Sequence, residues 1–392
     1  MSEIIPLSVP NLKGNELKYV TDAIEAEWVS TGGAMITRFE QEIAAYLGVE
    51  TATACQSGTA GLHLAMLLAD VGSEDEVIVP TLTFIATVNP VRYTSAEPVF
   101  MDCDDSLCMD MDKLEAFCFE ECRLEDGRLV NKRTGKHIKA VIAVHVFGNM
   151  ADMERLIPIA DRFNLTVIED ATEALGTYYL EGFYKGKYAG TIGDIGVYSF
   201  NGNKIITTGG GGMLVARDRA ITKKTKYLST QAKDDEINFI HNEVGYNYRM
   251  TNLQAALGVA QLEQLESFIK VKKRNYELYE KEVDGINGVS LLPFKKNIRT
   301  NYWFYSLYLD GFSLSRDDLV RLFVDNGIQT RPIWGLIHQQ KPYQNCFAYK
   351  IDKAKDYHDK IVNIPCSSNL TEGNVMRVMQ CMKDLKVKMY GA

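Results

Sequence analysis

The chain has 392 residues, 46% of them hydrophobic, and a formal net charge of −8. That length supports a large core and two domains, while the acidic balance excludes the basic surface that nonspecific nucleic-acid binding requires. Residues 1–6 lack the basic start and apolar core of an export signal, and no stretch approaches the roughly 18 apolar residues of a membrane span, so a cytoplasmic protein away from membranes is expected.

In chain order, Gln56-Ser57-Gly58-Thr59 opens a helix predicted over 60–69. Small polar residues at a helix N-terminus leave free N–H groups and a favourable dipole for phosphate, although the same residues also make an ordinary cap. The apolar run 76–79 reads as a strand. In the segment that follows it, Phe84 either stacks on an aromatic ring at the sheet edge or fills the core. Further strands are expected at 98–101, 140–144, 166–169, 196–200 and 212–216, and helices at 153–163 and 253–268. This alternation predicts an α/β fold with a mostly parallel sheet. Cys118 and Cys122 stand one helical turn apart, yet no histidine or second cysteine pair joins them, so no metal site is expected. All eight cysteines read as reduced thiols. Residues 123–139, with Asp126-Gly127 and Thr134-Gly135, break the rhythm as an exposed hairpin.

From about residue 266 the character changes. A charged helix at 270–282 leads to an aromatic strand at 302–305. A helix then runs from Ser315, with Asp318 as its capping partner, to Gly327, and a strand follows at 328–333. The reading is a large domain at 1–265 and a smaller C-terminal α/β domain at 266–392.

Two segments carry most of the chemistry. The strand at 166–169 runs into Glu169-Asp170-Ala171-Thr172-Glu173. Open α/β sheets bind ligands at the carboxyl edge, where a partly buried carboxylate can hold a protonated pyridine nitrogen. Alternatively, Asp170 caps the next helix. Downstream, Ser199-Phe200-Asn201-Gly202-Asn203-Lys204 leads into isoleucines, threonines and the glycines 209–212. Such neighbours describe a pinned, partly dry lysine. Desolvation disfavours an ammonium ion and frees the amine to form an imine with an aldehyde. The glycines precede a strand instead of opening a helix, which excludes a dinucleotide loop. They let backbone pass close to a flat cofactor. A loop rich in polar and aromatic groups, Tyr246-Asn247-Tyr248-Arg249, then feeds an alanine-rich helix capped by Thr251 or Asn252.

Taken in this order, the segments resemble the DegT/DnrJ/EryC1/StrS family of sugar aminotransferases across nearly the whole chain, from Ile5-Pro6-Leu7 onward. The resemblance implies the fold type I (aspartate aminotransferase-like) architecture and pyridoxal 5′-phosphate as cofactor. It implies that Lys204 carries the cofactor as an internal aldimine and that Asp170 pairs with the pyridine nitrogen. Phe84 stacks on the ring in this reading, and Gly58, Thr59 and Ser199 bind the phosphate. Asn247 resembles an asparagine that reaches the neighbouring subunit's cofactor, implying a homodimer with shared active sites. Lysine at 204, in place of histidine, separates the chain from the family's dehydratases.

Two positions depart from the common pattern. Glu173 stands at a cofactor-side position where the family usually has histidine or glutamine, and Gly210 stands where it has glutamate. With Asn201-Gly202-Asn203 and the early segment from Trp28 to Gly33, these departures resemble the subgroup acting on UDP-linked 4-keto-6-deoxy-N-acetylglucosamine, which feeds bacillosamine or legionaminic acid synthesis. The implied amino donor is L-glutamate. Trp28, Ser30, Thr31 and Ser57 would contact the sugar nucleotide. Arg331 would grip a pyrophosphate or carboxylate and His338 would close over the substrate, against the plainer readings of a surface ion pair and a structural histidine. The rival readings are a C3 or a GDP- or TDP-sugar aminotransferase, another fold type I enzyme, and a regulator that binds the cofactor without turnover.

Overall fold

Apolar runs bounded by turn residues pair into a ten-stranded sheet in the computed structural model, which describes residues 4–390. Its main path runs Ala52–Cys55, Gly212–Ala216, Ile195–Ser199, Thr166–Asp170, His137–Val144, Asp75–Pro80, Glu97–Met101 and Ala348–Tyr349. Pairing is parallel from Ile195–Ser199 to the far edge. Gly212–Ala216 is antiparallel to both of its neighbours, which leaves Ala52–Cys55 pointing the same way as the parallel strands. The central strands are buried almost throughout, as a sheet covered on both faces requires.

Helices cover this sheet. Gly58–Leu68 packs on Ile195–Ser199 and Gly212–Ala216, and Met153–Phe163 packs on Thr166–Asp170. The helix read over 253–268 is two helices, Asn252–Leu262 and Leu265–Val283, broken at Glu263-Gln264. Leucine spacing continues across that break, so periodicity could not reveal it. The hairpin 123–139 is real but joins the sheet. Cys122–Glu125 and Arg128–Asn131 meet over a turn with positive φ at Asp126 and Gly127, and Leu129 and Val130 pair with His137–Val144. Leu129 and Val130 are buried, which is why the hairpin folds inward.

A second, four-stranded antiparallel sheet is ordered Val289–Leu291, Tyr305–Leu309, Ile361–Ile364 and Arg331–Pro332. The aromatic run 302–305 therefore leads into its strand, which begins only at Tyr305. Tyr302 adopts a left-handed φ of 55°, incompatible with extended backbone. The strand expected at 328–333 shrinks to two residues, with Ile328 bridging Ile5 instead. Ser315 caps the helix Arg316–Asp325 by accepting from Asp318 N. Among the described residues, no helix is long and apolar enough to cross a membrane, and all eight cysteines are free thiols.

One carboxylate ties the C-terminal part to the large sheet. Asp102 is fully buried and accepts from Lys113 Nζ at 2.6 Å, from Asp352 and Lys353 N at 2.9 Å, and from Ala354 N at 2.8 Å. It thereby caps the helix Lys353–Lys360 from across the fold. Asp102→Ala orphans an ammonium and several N–H groups. It should cost about 3 kcal/mol in urea unfolding, with Asp102→Asn costing less because one acceptor oxygen survives.

Candidate active site

Four strands end at one place on the carboxyl edge of the large sheet. Past Cys55 comes Ser57-Gly58-Thr59, past Pro80 comes Thr83 to Thr87, Asp170 ends its own strand, and past Ser199 comes the loop to Lys204. All four segments line a cavity of about 370 Å³, closed by Trp303 and Trp334 from the C-terminal part. This is the crevice where an open α/β sheet takes its ligand.

Each wall has a local cause. Ser57 accepts from Ala60 N at 3.0 Å and starts the helix Gly58–Leu68, whose first N–H groups and dipole face the cavity. At Gly58 a Cβ would lie 3.0 Å from both Ser199 Cβ and Thr172 Cγ2, so a side chain there would crowd both neighbours. Phe84 is 53% exposed despite its size and lies on the lining, not in the core. Asp170 is buried. Its Oδ2 accepts from Thr87 Oγ1 at 2.7 Å, and its Oδ1 accepts from Thr172 N at 3.1 Å. A carboxylate offers about four acceptor sites, so Asp170 has capacity left for a cation in the cavity.

Glu169 points the other way. Its carboxylate meets His145 Nε2 at 2.8 Å and the N–H groups of Gly190, Ile192 and Gly193. Burial alone would raise its pKa, but His145 and these donors hold it below the ordinary glutamate value. The pair is fully buried and belongs to the scaffold behind the site.

Lys204 has a side chain only 12% exposed. Its Nζ lies 3.5 Å from Glu173 Oε1 and 4.2 Å from the Trp303 ring centroid. Glu173 is fixed from its other oxygen, which accepts from Phe147 N at 2.9 Å. Phe147 makes that contact from a left-handed conformation (φ 56°, ψ 20°) that a bulky residue seldom adopts. Its ring is wedged against Trp303, Phe304 and Trp334, which overrides the local cost. Burial pushes the Glu173 carboxyl up to about 7, against the opposing pull of Lys204 and Phe147 N–H and with Asp170 adding to the rise.

The structure thus brings together Lys204, Asp170, Glu173, Gly58, Thr59, Phe84, Ser57 and Ser199. Six other candidates lie outside the cavity of a single chain. Asn247 is exposed in a bridge to Thr230. Trp28, Ser30 and Thr31 sit in a loop held by Asn252, whose Nδ2 donates to Trp28 O and whose N donates to Ser30 O. Thr251, not Asn252, caps the helix Asn252–Leu262, with Gln254 completing the box. Arg331 is exposed, and its side chain bonds only the adjacent Thr330 carbonyl among the described residues. His338 Nδ1 is 2.6 Å from Thr81 Oγ1, and burial lowers its pKa, which favours a neutral structural ring. Sequence reasoning missed Trp303, Trp334, Thr87 and Thr172. The aromatic run 302–305 carried a signal for Trp303, but as a strand, and Trp334 lies between Arg331 and His338, the two residues picked instead from a segment expected to close over the substrate.

Pyridoxal 5′-phosphate, the cofactor implied by the motifs, fits these residues on their own chemistry. There is a helix N-terminus opening on a tightly packed glycine, an exposed flat ring, a buried carboxylate with spare acceptor capacity, and a recessed lysine. The chain also matches known proteins. The DegT/DnrJ/EryC1/StrS aminotransferase family model covers residues 10–383. A GDP-perosamine synthase of Caulobacter vibrioides is 37% identical, covering 99% of this chain and 100% of its own. The protein EpsN of Bacillus subtilis, named provisionally as a pyridoxal phosphate-dependent aminotransferase, is 36% identical over 98% of this chain and 96% of its own. The crystal structure of the aminotransferase TlmJ from Streptoalloteichus hindustanus superposes with a TM-score of 0.88 at 25% identity, covering 99% of this chain and all of that one. These matches and the mostly parallel sheet make the architecture fold type I.

Glu173 holds its proton more tightly in the folded chain than unfolded. The stability this lends is complete below the unfolded glutamate value and is lost as pH rises through about 7. Glu173→Gln removes that loss. The cofactor-free variant should match wild type near pH 5 and gain on it toward pH 8, by at most about 3 kcal/mol. Thermal melts across that range check the sign.

Proposed function

The chain belongs to the DegT/DnrJ/EryC1/StrS aminotransferase family, and from that premise we propose that it moves an amino group from L-glutamate to the C4 ketone of a nucleotide-linked 4-keto-6-deoxy sugar. One observation carries the reading. A recessed lysine, a buried aspartate and a helix N-terminus line the same cavity. When bound there, pyridoxal 5′-phosphate supplies an electron sink for the charge left at the carbon that loses or gains a proton.

The chain's own residues do the rest. The N–H groups of Gly58 and Thr59, with the Ser199 hydroxyl, would hold the phosphate at the helix N-terminus. Asp170 would meet the ring nitrogen and keep it protonated, with Thr87 and Thr172 fixing the carboxylate's direction. Phe84 would cover one face of the ring. Lys204 Nζ would anchor the cofactor and, as a free amine, would move the proton at the reacting carbon. The same nitrogen serves both halves of the exchange, so the cavity needs no second base. Trp303 against that nitrogen limits water. L-glutamate leaves as 2-oxoglutarate, and the ketone leaves as an amine.

Asn247, exposed and away from the cavity of its own chain, supports a homodimer in which it serves the second copy's site. The exposed Trp28, Val29, Phe239 and Val244 suit a covered face. Two nucleotides compete for the substrate. The Glu173 and Gly210 departures favour UDP-4-keto-6-deoxy-N-acetylglucosamine, and the 37% identical GDP-perosamine synthase favours a GDP-linked sugar.

Adding L-glutamate to the loaded protein should abolish its visible band, and the correct keto-sugar should restore it. Lys204→Ala should show no such band and should lose activity by about 1,000-fold or more. Recovery with the UDP sugar alone supports the motif reading, and recovery with the GDP sugar supports the relative's. Recovery with neither redirects the search to other keto-sugars. A wild-type protein that forms no band overturns the proposal.

A further inference from the structure

Glu173 is more than a wall of the cavity. Its Oε1 faces Lys204 Nζ at 3.5 Å, its Oε2 is committed to Phe147 N, and its side chain is 5% exposed. Its backbone is held as well, because Asn301 Nδ2 donates to Glu173 O at 2.9 Å and to Leu175 O at 3.0 Å. The carboxylate therefore keeps one oxygen satisfied and presents the other to the lysine. Two charged groups act on it. They are Lys204, from the loop after Ile195–Ser199, and Asp170, from the end of the adjoining strand. The Val146–Gly148 turn contributes an N–H, and the 300–303 segment contributes an amide.

Resting on the proposed role of Lys204, we infer that Glu173 is a positioning residue that shares one proton with the lysine nitrogen and so sets how readily that nitrogen becomes a free amine. The proton lies on Nζ with Glu173 as the carboxylate, or on Oε1 with the nitrogen neutral, and the pair carries no net charge in either arrangement. Burial disfavours separated charges, and the 3.5 Å separation lets the proton pass between the two atoms. A carboxyl raised to about 7 accepts a proton near neutrality, where an ordinary glutamate would not. Asp170 is held differently. It already accepts from a hydroxyl and an N–H and has no contact with Lys204 Nζ among the described residues. The two neighbouring carboxyls thus divide the work, with Asp170 facing the ring and Glu173 facing the amine.

The experiment follows the visible band of the cofactor-loaded protein from pH 5 to 10 in wild type, Glu173→Gln and Glu173→Asp. Glutamine is isosteric and still accepts from Phe147 N–H, but it cannot take the proton or supply the charge. The midpoint of the band's titration should fall by about one unit or more in Glu173→Gln. Glu173→Asp, which keeps the charge but alters the shape, should recover part of that shift. A merely structural role predicts the reverse order, with the shortened aspartate more damaging than glutamine. Superimposable titrations in all three proteins, or that reversed order, overturn the inference while leaving Lys204 as the anchor. If no band forms in wild type, the proposed function fails and this inference fails with it.

Discussion

Two buried carboxyl groups and one nearly buried amine share a single cavity, and much of the surrounding structure meets the cost of keeping them there. An unpaired buried charge loses several kcal/mol of hydration. Each of the three is therefore met by fixed partners. Thr87 and Thr172 serve Asp170, Phe147 N–H and Lys204 serve Glu173, and Glu173 with the Trp303 ring serves Lys204. The sheet supplies the place. Strands that end together at one edge bring residues more than a hundred positions apart to one small volume, and the helix dipole at Gly58 adds a positive end to it.

The C-terminal half completes the site instead of merely flanking it. Asn301 bonds the carbonyls of Glu173 and Leu175 and accepts from Trp303 N at 2.9 Å. Its approach is possible only because residue 148 is glycine. That residue has φ of 90°, and a Cβ there would lie 1.9 Å from Asn301 Oδ1. Trp303 then turns its indole N–H to Asn203 O at 2.8 Å, one residue before the lysine. The left-handed Tyr302 is the hinge that sends Trp303 into the cavity. The strained Phe147 is packed by the same aromatic group. Strain at these two residues, one on each side, is the local expense of building a dry cavity between separate parts of the chain.

Much of this was legible in the sequence because it follows from local pattern. The central strands are continuous apolar runs, and their ends are marked by the residues that change character, Asp170 and Ser199 above all. Lys204 stood out because isoleucines, threonines and glycines do not surround a solvated lysine. What stayed hidden depends on long-range geometry. The break at Glu263-Gln264 interrupts no hydrophobic period. Trp303 looks like a strand residue until Tyr302 takes a positive φ. Trp334 reaches the site only through the fold of the second sheet. His338 and Arg331 look functional in sequence because histidine and arginine carry chemistry. Their contacts to Thr81 and to a neighbouring carbonyl are not written in residue type.

The account stands on one covalent claim, that Lys204 and no other lysine anchors pyridoxal 5′-phosphate. Borohydride reduction of the loaded protein would fix the cofactor where it sits, and peptide mass spectrometry would then locate it. The account predicts one modified peptide, containing Lys204, with none when the reduction follows L-glutamate treatment. A cofactor fixed to a different lysine, or to none, would contradict it.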